Sequence, residues 1–307
     1  MPDTISLSST TRERVIGCLL GGALGDAWGG PLEGVAGPVR FEIPACPVLS
    51  DDTQLTLATC QSIIERGCVD PGGVASHLLR WYAAKRVHGL GSSTLKAMRD
   101  LAIGVHWALA GARGEFAAGN GAAMRVAPLA FLLDPKESRD RMLIRDVSRI
   151  THHNDEAYVG ALAVVLAIRS VLAGTWSKNR SFLSHVIAEL PDSAVRDRVA
   201  TLLPLQMTPS EVARKYGTTG YVVDSVPFAL YCAQSIAMDR LESVLAQAIS
   251  AGGDTDTIGS IVGQLAGAAT SSAGLPRALL AGIAGIQEVQ TVASQFAVFV
   301  ERRQVGR

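Results

Sequence analysis

The chain has 307 residues, of which 48% are hydrophobic and only 5% aromatic, and its formal net charge is zero. This length allows one large hydrophobic core or two domains. The abundance of Ala and Gly favours closely packed helices over a β-sandwich, which would need more aromatic and β-branched residues. Because the basic residues are dispersed and balanced by acidic ones, we expect no nucleic-acid partner.

The apolar segments do not predict a membrane or secreted protein. The first residues, Met-Pro-Asp-Thr-Ile-Ser, lack the basic flank and apolar run of a signal peptide. The longest apolar segment, residues 157–174, is interrupted by Arg169 and has helical periodicity, which predicts a buried helix. The five cysteines are odd in number and contain no C-x-x-C pair, as in a reducing compartment. We therefore expect a cytoplasmic protein, and a monomer because no coiled-coil or β-edge pattern occurs.

The chain begins with a polar segment, residues 1–10, which we predict to be a flexible tail. A helix is predicted from Thr11, breaking up in the glycine-rich residues 21–30. Those glycines either let the helix approach another closely or free backbone for a ligand. Residues 31–49 predict a loop with at most a short strand at 41–43, and a second helix follows Ser50.

The rest of the chain predicts further helices separated by loops that contain Gly or Pro. Strands and helices do not alternate, and no repeat of 20 to 50 residues occurs. We therefore predict that residues 11–307 form one compact all-α domain. The further predicted helices cover residues 71–85, 93–110, 121–133, 135–149, 155–172, 180–190, 194–203, 209–216, 224–237, 241–250, 257–270 and 276–302.

Two acidic motifs each precede an apolar helical pattern. The first acidic motif is Ser50-Asp51-Asp52-Thr53 and the second is Gly252-Gly253-Asp254-Thr255-Asp256-Thr257. Carboxylates at a helix start can serve only as caps that favour the positive end of the helix dipole. Four carboxylates brought together would instead need a compensating charge, usually a cation. A set of ligands made up only of oxygen atoms favours Mg²⁺ or Mn²⁺. The spacing of the motifs does not decide between helix caps and a metal site.

Other short motifs narrow the interpretation. They are Gly25-Asp26-Ala27 followed by Glu33, Gly119-Asn120-Gly121-Ala122-Ala123-Met124-Arg125, Thr151-His152, and Gly220-Tyr221-Val222-Val223-Asp224-Ser225. In order and type, together with the two acidic motifs, they resemble the ADP-ribosylglycohydrolase family. The resemblance extends from about residue 13 to about residue 276, and the acidic motifs combined with G-N-G-x-x-M-R are specific.

The resemblance implies an orthogonally packed all-α bundle with two Mg²⁺ or Mn²⁺ ions at the mouth of an ADP-ribose cleft. It implies that the substrate is ADP-ribose or an ADP-ribosylated protein. Carried over by position, the metal ligands would be Ser50, Asp51, Asp52, Asp254, Asp256 and Thr257. The substrate-binding residues would be Gly119, Asn120, Gly121, Met124, His152, Gly220, Tyr221 and Gly253.

The implied reaction is hydrolysis of the bond between ADP-ribose and a modified arginine or serine side chain. Its catalytic residues would be Glu33, Asp52 and Asp256, with Glu33 on a flap over the substrate ribose. Two alternatives stay open: a non-catalytic ADP-ribose-binding or structural protein, and a hydrolase of free ADP-ribose derivatives. The linkage, the target and the choice between Mg²⁺ and Mn²⁺ are not predicted.

Several of these residues also have simpler interpretations. Asn120 could occupy a left-handed turn between its glycines, and Tyr221 could be a packing aromatic with an exposed hydroxyl. Asp26 is expected to brace a helix, and Met124 to belong to the core. Two features depart from the family pattern. The segment between Glu33 and Asp51 is short, and residues 117 and 118 are alanines where relatives carry substrate contacts.

Overall fold

The structure, a computed structural model, describes residues 10–174 and 181–305. Within these ranges it contains fourteen α-helices and a single two-stranded ladder, which confirms the predicted all-α class. The α-helices are α1 (Thr11–Gly29), α2 (Asp51–Arg66), α3 (Pro71–Ala83), α4 (Ser92–Ala102), α5 (Ser138–Arg149), α6 (Asp155–Leu172), α7 (Phe182–Glu189), α8 (Ala194–Leu202), α9 (Pro209–Tyr216), α10 (Val222–Ala233), α11 (Leu241–Ser250), α12 (Thr255–Thr270), α13 (Arg277–Ala281) and α14 (Ile286–Val305).

The centre of the fold is the antiparallel pair of α1 and α12, whose backbones touch. A methyl group on Gly25 would lie 1.9 Å from the carbonyl oxygen of Gly259, and one on Gly259 would lie 2.4 Å from that of Gly25. Only glycine permits such an approach. The same contact recurs at four-residue intervals along both helices, at Gly17, Gly21, Gly263 and Gly267.

These contacts decide between the two roles considered for the glycine-rich segment. Helix α1 does not break up at residue 21 but continues to Gly29. Its glycines serve the close approach to α12 rather than a ligand. Residues 11–32 are long and apolar enough to cross a membrane by length and composition, but 78% of the 18-residue window that meets this test is buried inside the fold. Helix α14 packs against α1, and helices α6, α10 and α11 pack against α12.

The helix starts follow the capping residues in the sequence. Thr10 and Glu13 form a capping box at the start of α1. Ser50 has extended backbone and its side chain accepts a hydrogen bond from the Asp52 N–H at 3.2 Å, so α2 begins at Asp51. Helix α12 begins at Thr255, two residues before the predicted start. The rest of the predicted tail, residues 1–9, lies outside the described residues.

Three predicted helices differ from the structure. Helix α4 ends at Ala102, because Gly104 has φ +85°. The segment predicted as a helix over 121–133 contains only a 3₁₀ helix, Ala127–Phe131, which has Pro at its start. The predicted last helix is divided into α13 and α14, with Gly285 at φ +80° between them.

At most a short strand was predicted within the loop of residues 31–49, at residues 41–43. Residues 41–43 are not a strand, and the ladder lies elsewhere, between β1 (Ala112–Arg113) and β2 (His152–His153), which pair in parallel. Strands of two residues are too short to show an alternating pattern in the sequence. This ladder joins the segment before the glycine turn, defined as residues 119–121, to His152.

The contact between α1 and α12 predicts a strong effect of a single methyl group. We expect Gly25→Ala to lower the free energy of unfolding by about 1–3 kcal/mol, because the helices must separate. Helix propensity favours alanine by about 1 kcal/mol, so a net loss would come from the clash. Urea-induced unfolding followed by circular dichroism measures the change.

Gly282, which is exposed and lies outside the helix pair, provides the matched control. A methyl group there would meet only the Leu279 carbonyl oxygen, at 3.5 Å, which is an ordinary van der Waals contact. Gly282→Ala should therefore change the free energy of unfolding by less than about 0.5 kcal/mol. Equal losses in the two variants would contradict the account of the helix pair.

Candidate active site and metal centre

An open cleft of about 690 Å³ lies where the N-terminal ends of α2 and α12 meet. It contains both acidic motifs, which are about two hundred residues apart in the sequence. Five carboxylates line it: Glu33, Asp51, Asp52, Asp254 and Asp256. Thr257 lines it as well. The structure thus brings together five of the six predicted metal ligands, together with the predicted catalytic Glu33.

Asp26, on α1, fixes the start of α2. Its carboxylate is fully buried and accepts hydrogen bonds from the Ser50 N–H at 3.1 Å and the Thr53 N–H at 3.2 Å. The Thr53 hydroxyl donates to it as well. Burial raises the pKa of Asp26 to about 6, although these hydrogen bonds act in the opposite direction. Asp26 therefore braces a helix, as expected, and does not line the cleft.

Asp52 connects the two acidic motifs. The Thr257 hydroxyl donates to Asp52 Oδ2 at 3.1 Å, across the cleft floor. Ser50 Oγ also lies 3.4 Å from this oxygen, but Ser50 caps α2 and does not itself line the cleft. The other carboxylate oxygen, Asp52 Oδ1, is buried and has no hydrogen-bond partner among the described residues. A buried acceptor without a donor is costly, and a bound cation would satisfy it.

Glu33 joins the second acidic motif. One carboxylate oxygen from each of Glu33, Asp254 and Asp256 lies within 4.8 Å of the others, a spacing that can hold a metal ion. The backbone creates this proximity, because the Gly34 N–H donates to the Gly253 carbonyl and the Gly253 N–H donates to the Val35 carbonyl, both at 2.8 Å. Glu33 was predicted as a catalytic residue on the flap, and the structure places its carboxylate beside those of the two aspartates.

The carboxylates of the cleft are difficult to ionise together. Burial, then the hydrogen bond and charge of Asp254, raise the pKa of Asp256 to about 9. Burial and the charge of Asp26 raise the pKa of Asp51 to about 7. Burial also raises the pKa of Asp52 well above its usual value, and the pKa of Glu33 is raised by burial and by Asp254. Such a cluster fits divalent cations, which supply the missing positive charge.

The glycine turn places Asn120 against the acidic cluster. Its side-chain amide donates to Asp254 Oδ2 at 2.6 Å and to Ser225 Oγ at 3.0 Å. Its backbone N–H donates to the Gly220 carbonyl at 3.1 Å. Asn120 does not have positive φ, so the left-handed turn considered for it is wrong. Asn120 orients the Asp254 carboxylate.

His152 lies directly behind the glycine turn. A methyl group on Gly119 would lie 3.1 Å from its Nε2, and one on Gly121 would lie 2.9 Å from its Cε1. Burial, then the charges of Arg125 and His153, lower the pKa of His152 to about 3, so the ring is neutral at physiological pH. Its Nδ1 is hydrogen-bonded to Thr151 Oγ1 at 2.7 Å. His152 lines the cleft as an uncharged group.

Arg125 supports this turn from below. It is almost fully buried and donates to the Gly121 carbonyl, to Thr151 Oγ1 at 2.9 Å and to the Val147 carbonyl at 3.3 Å. Burial lowers its pKa to about 10, so it stays charged at neutral pH. The arginine of G-N-G-x-x-M-R therefore holds the backbone of the turn and does not line the cleft.

The predicted substrate-binding residues divide into two groups. Seven line the cleft, and Tyr221 does not: its ring is 45% exposed, while its backbone forms a bridge with Gly119. Met124 is almost completely buried, as expected of a core residue, yet it also lines the cleft. The seven are Gly119, Asn120, Gly121, Met124, His152, Gly220 and Gly253.

Sequence analysis missed part of the cleft wall. Phe116 and Arg214 line it, as do Thr94 and Thr218. Phe116 is an isolated aromatic just before the glycine turn, and Thr218 lies between two glycines, which are weak signals at best. Nothing in the sequence pattern distinguishes Arg214 from other arginines. By contrast, Ala117 and Ala118 are buried.

The raised pKa of Asp256 predicts how cation-free protein responds to pH. A carboxyl with a raised folded-state pKa gives stability at low pH that is lost as pH rises from its unfolded value, 3.8, towards its folded value, about 9. With a chelator present, we expect the free energy of unfolding to fall over this range. Asp256→Asn should retain on the order of 2 kcal/mol more at pH 9.

Urea titrations at several pH values measure this difference. Asp239→Asn, at an exposed position outside the cleft, is the control and should follow the wild-type curve. If Asp256→Asn also followed the wild-type curve, the predicted burial of charge at Asp256 would be wrong.

Comparisons with known proteins identify the family of the chain. The ADP-ribosylglycohydrolase family model matches residues 7–306. The chain is 27% identical to the ADP-ribosylhydrolase ARH3 of Danio rerio, over 91% of this chain and 89% of that protein. It is 28% identical to the ADP-ribosylarginine hydrolase Tri1 of Pseudomonas putida, over 92% and 77% respectively. An uncharacterized protein of Archaeoglobus fulgidus is 31% identical, over 84% of this chain and 88% of its own.

A solved structure shows the same architecture. The chain aligns with a protein described as an ADP-ribosylglycohydrolase-related protein complex with a TM-score of 0.71 and 26% identity. The alignment covers 94% of this chain and 99% of that one. The predicted resemblance and the predicted enzyme class are thereby confirmed. Because the match extends over nearly its whole length, the chain belongs to the ADP-ribosylglycohydrolase family.

Proposed function

We propose that the protein is a cation-dependent ADP-ribosyl hydrolase that cleaves the glycosidic bond between ADP-ribose and a modified side chain. The observation that carries the proposal is the cleft with five carboxylates and the unpartnered buried oxygen of Asp52. A cleft of this kind has no evident purpose in a structural protein, since it destabilises the fold unless a ligand compensates it. The facing carboxylates therefore support an enzyme over the non-catalytic alternative.

The residues that would hold two divalent ions, Mg²⁺ or Mn²⁺, are on the two facing helix ends. Asp51 and Asp52 would contribute from α2, and Asp254, Asp256 and Thr257 from the start of α12. Ser50, the sixth predicted ligand, already uses its hydroxyl as the cap of α2. When bound, such ions neutralise the carboxylates, orient the ribose diol and lower the pKa of a water molecule.

The reaction needs one proton to leave water and one to reach the leaving group. Cleavage at the anomeric carbon develops positive charge on the ribose, which nearby carboxylates stabilise. Glu33 would carry the proton, because its pKa is raised and its carboxylate lies beside Asp254 and Asp256. Asp52 or Asp256 would accept the proton of the attacking water.

Only a comparison of substrates can identify the side chain that carries ADP-ribose. Tri1 of Pseudomonas putida is described as an ADP-ribosylarginine hydrolase and the Danio rerio relative as an ADP-ribosylhydrolase. Peptides carrying ADP-ribose on arginine and on serine should therefore be tested side by side, together with free ADP-ribose derivatives. A cytoplasmic monomer without a nucleic-acid partner is part of the proposal.

One prediction of the proposed function concerns the metal centre. We expect release of ADP-ribose from at least one of these substrates with Mg²⁺ or Mn²⁺, and none with a chelator. Asp254→Ala should lower both bound metal and turnover, the latter by at least about 100-fold. Asp239→Ala is the matched control and should retain both.

Two outcomes would contradict this assignment. No turnover by metal-loaded wild-type protein on any substrate would overturn the reaction. Unchanged metal content and activity in Asp254→Ala would overturn the centre. Metal content is measured by elemental analysis of the purified proteins, and turnover by chromatography of released ADP-ribose.

Another prediction of the proposed function concerns Glu33. We expect Glu33→Gln to lower kcat by about 10²–10⁴-fold, because the amide cannot carry the proton. Glu42 lies on the same loop but is exposed, and among the described residues it forms an ion pair only with Arg40, so Glu42→Gln should leave kcat unchanged. A kcat for Glu33→Gln within about threefold of wild type would remove Glu33 from the chemistry.

A further inference from the structure

A second cavity lies at the opposite end of α1 from the acidic cleft. It is formed by the first turn of α1, the last turns of α6 and α14, and the 3₁₀ helix Ala127–Phe131. Its volume of about 390 Å³ lies within the range of about 300–1,000 Å³ that is typical of small-molecule sites. A helix rise of about 1.5 Å per residue puts Arg14, which lines this cavity, roughly 18 Å from Asp26 at the acidic cleft.

Arg14 is a buried charge without a charged partner. Its side chain is only 7% exposed. Within residues 10–174 and 181–305 it makes one hydrogen bond, from Nη1 to the Val171 carbonyl at 3.3 Å, and it forms no ion pair. A guanidinium has N–H donors on all of its nitrogens, and a buried charge that is not paired is costly. Because Arg14 lines the second cavity, a ligand there can accept hydrogen bonds from its remaining N–H groups.

Arg169, on the last turn of α6, brings a second guanidinium to the same cavity. It donates to the Leu133 carbonyl at 2.8 Å and forms an ion pair with Asp134 at 3.4 Å. The two side chains of this pair are 36% and 43% exposed, so water screens most of their attraction. No Asp or Glu is among the lining residues in the part of the chain that the structure describes. The cavity is therefore positively charged, although the net charge of the chain is zero.

The helix dipoles do not neutralise the two arginines. The Val171 carbonyl belongs to the last turn of α6, so the negative end of that helix attracts Arg14. A helix end is equivalent to only about half an elementary charge, and Arg169 already lies in the same turn. The N-terminal end of α1, where Arg14 lies, adds about the same amount of positive charge. The cavity therefore keeps a positive charge that an anion would compensate.

Gln304, on the last turn of α14, supplies a third donor. The Thr11 hydroxyl donates to the side-chain carbonyl oxygen of Gln304 at 3.0 Å, and both residues line the cavity. This bond fixes the orientation of the amide, whose nitrogen has no acceptor among the described residues. Phe131 and Leu172 supply an apolar wall. The cavity thus suits a ligand with several acceptor oxygens at one end, with or without a small organic part.

We infer that this second cavity binds a phosphate group, either free or carried by a small molecule, through Arg14, Arg169 and Gln304. A phosphate dianion compensates the charge of two arginines, and its oxygens match the planar guanidinium, which can donate two parallel hydrogen bonds. The site is independent of the proposed hydrolase activity, because the cavity and the acidic cleft share no lining residue in the described part of the chain.

Calorimetry on the full-length, Mg²⁺-loaded protein tests this site. Inorganic phosphate and glycerol 2-phosphate are titrated at constant ionic strength and about pH 8, where both are dianions. We expect Arg14→Gln and Arg169→Gln each to weaken binding by at least about tenfold, because each removes a charge-assisted pair. Gln304→Ala should weaken it by about threefold, since its donor is uncharged. Tighter binding of glycerol 2-phosphate would identify a phosphorylated small molecule as the ligand, and tighter binding of inorganic phosphate would identify the free ion.

Two matched controls lie on the same helices but outside the cavity. Arg12→Gln removes an exposed cation of α1, and Gln290→Ala removes an exposed amide of α14. Both should bind phosphate within about twofold of wild type. Circular dichroism verifies that each variant is folded. Because Arg14 is buried, the exposed Gln304 and the partly exposed Arg169 keep the test decisive if Arg14→Gln does not fold.

Three outcomes would overturn the inference. The first is the absence of phosphate binding to wild type. The second is unchanged binding in Arg169→Gln and Gln304→Ala, above all if Asp254→Ala abolished it, because the phosphate would then bind at the acidic cleft. The third is binding of acetate as tight as that of phosphate, which would show that the cavity attracts any anion and does not recognise a phosphate group.

Discussion

The backbone contact between α1 and α12 is the constraint on which the rest of the structure depends. Because the helices are antiparallel, the C-terminal end of α1 meets the N-terminal end of α12, with Gly29 against Thr255. This places Asp26 and the second acidic motif at the same end of the molecule. Asp26 then fixes the start of α2 and with it the first acidic motif. The glycine contacts of the helix pair thus determine where the carboxylates of the cleft lie.

This arrangement makes the cleft electrostatically unfavourable. The N-terminal ends of α2 and α12 favour negative charge, yet burial raises the pKa of Asp51, Asp52 and Asp256. Desolvation and the repulsion between neighbouring carboxylates therefore oppose their ionisation. Such a cost persists only where the surrounding packing is strong, and here it is the central helix pair that supplies that packing. The buried carboxylates therefore destabilise the fold at this site, and a bound cation would remove that destabilisation.

Local sequence signals predicted what depends on local structure. The cap residue Ser50 and the acidic motifs placed two helix starts within two residues, because capping is decided by neighbouring atoms. The continuation of α1 through its glycines was not predictable, because tertiary packing overrides their low helix propensity. The presence of Phe116 and Arg214 in the cleft wall was not predictable either, since only the fold brings their segments to the cleft.

The short loop after Glu33 determines where the Glu33 carboxylate lies. The segment between Glu33 and Asp51 is short compared with the family pattern, and the structure fixes it to the rest of the fold at several points. Its backbone pairs with Gly253, the Val39 N–H donates to the Ser250 carbonyl at 2.8 Å, and the Phe41 ring packs 5.5 Å from that of Trp28. A loop held in this way brings Glu33 to the aspartates before substrate arrives. Its shortness therefore favours preorganisation, since less conformational entropy remains to be lost on binding.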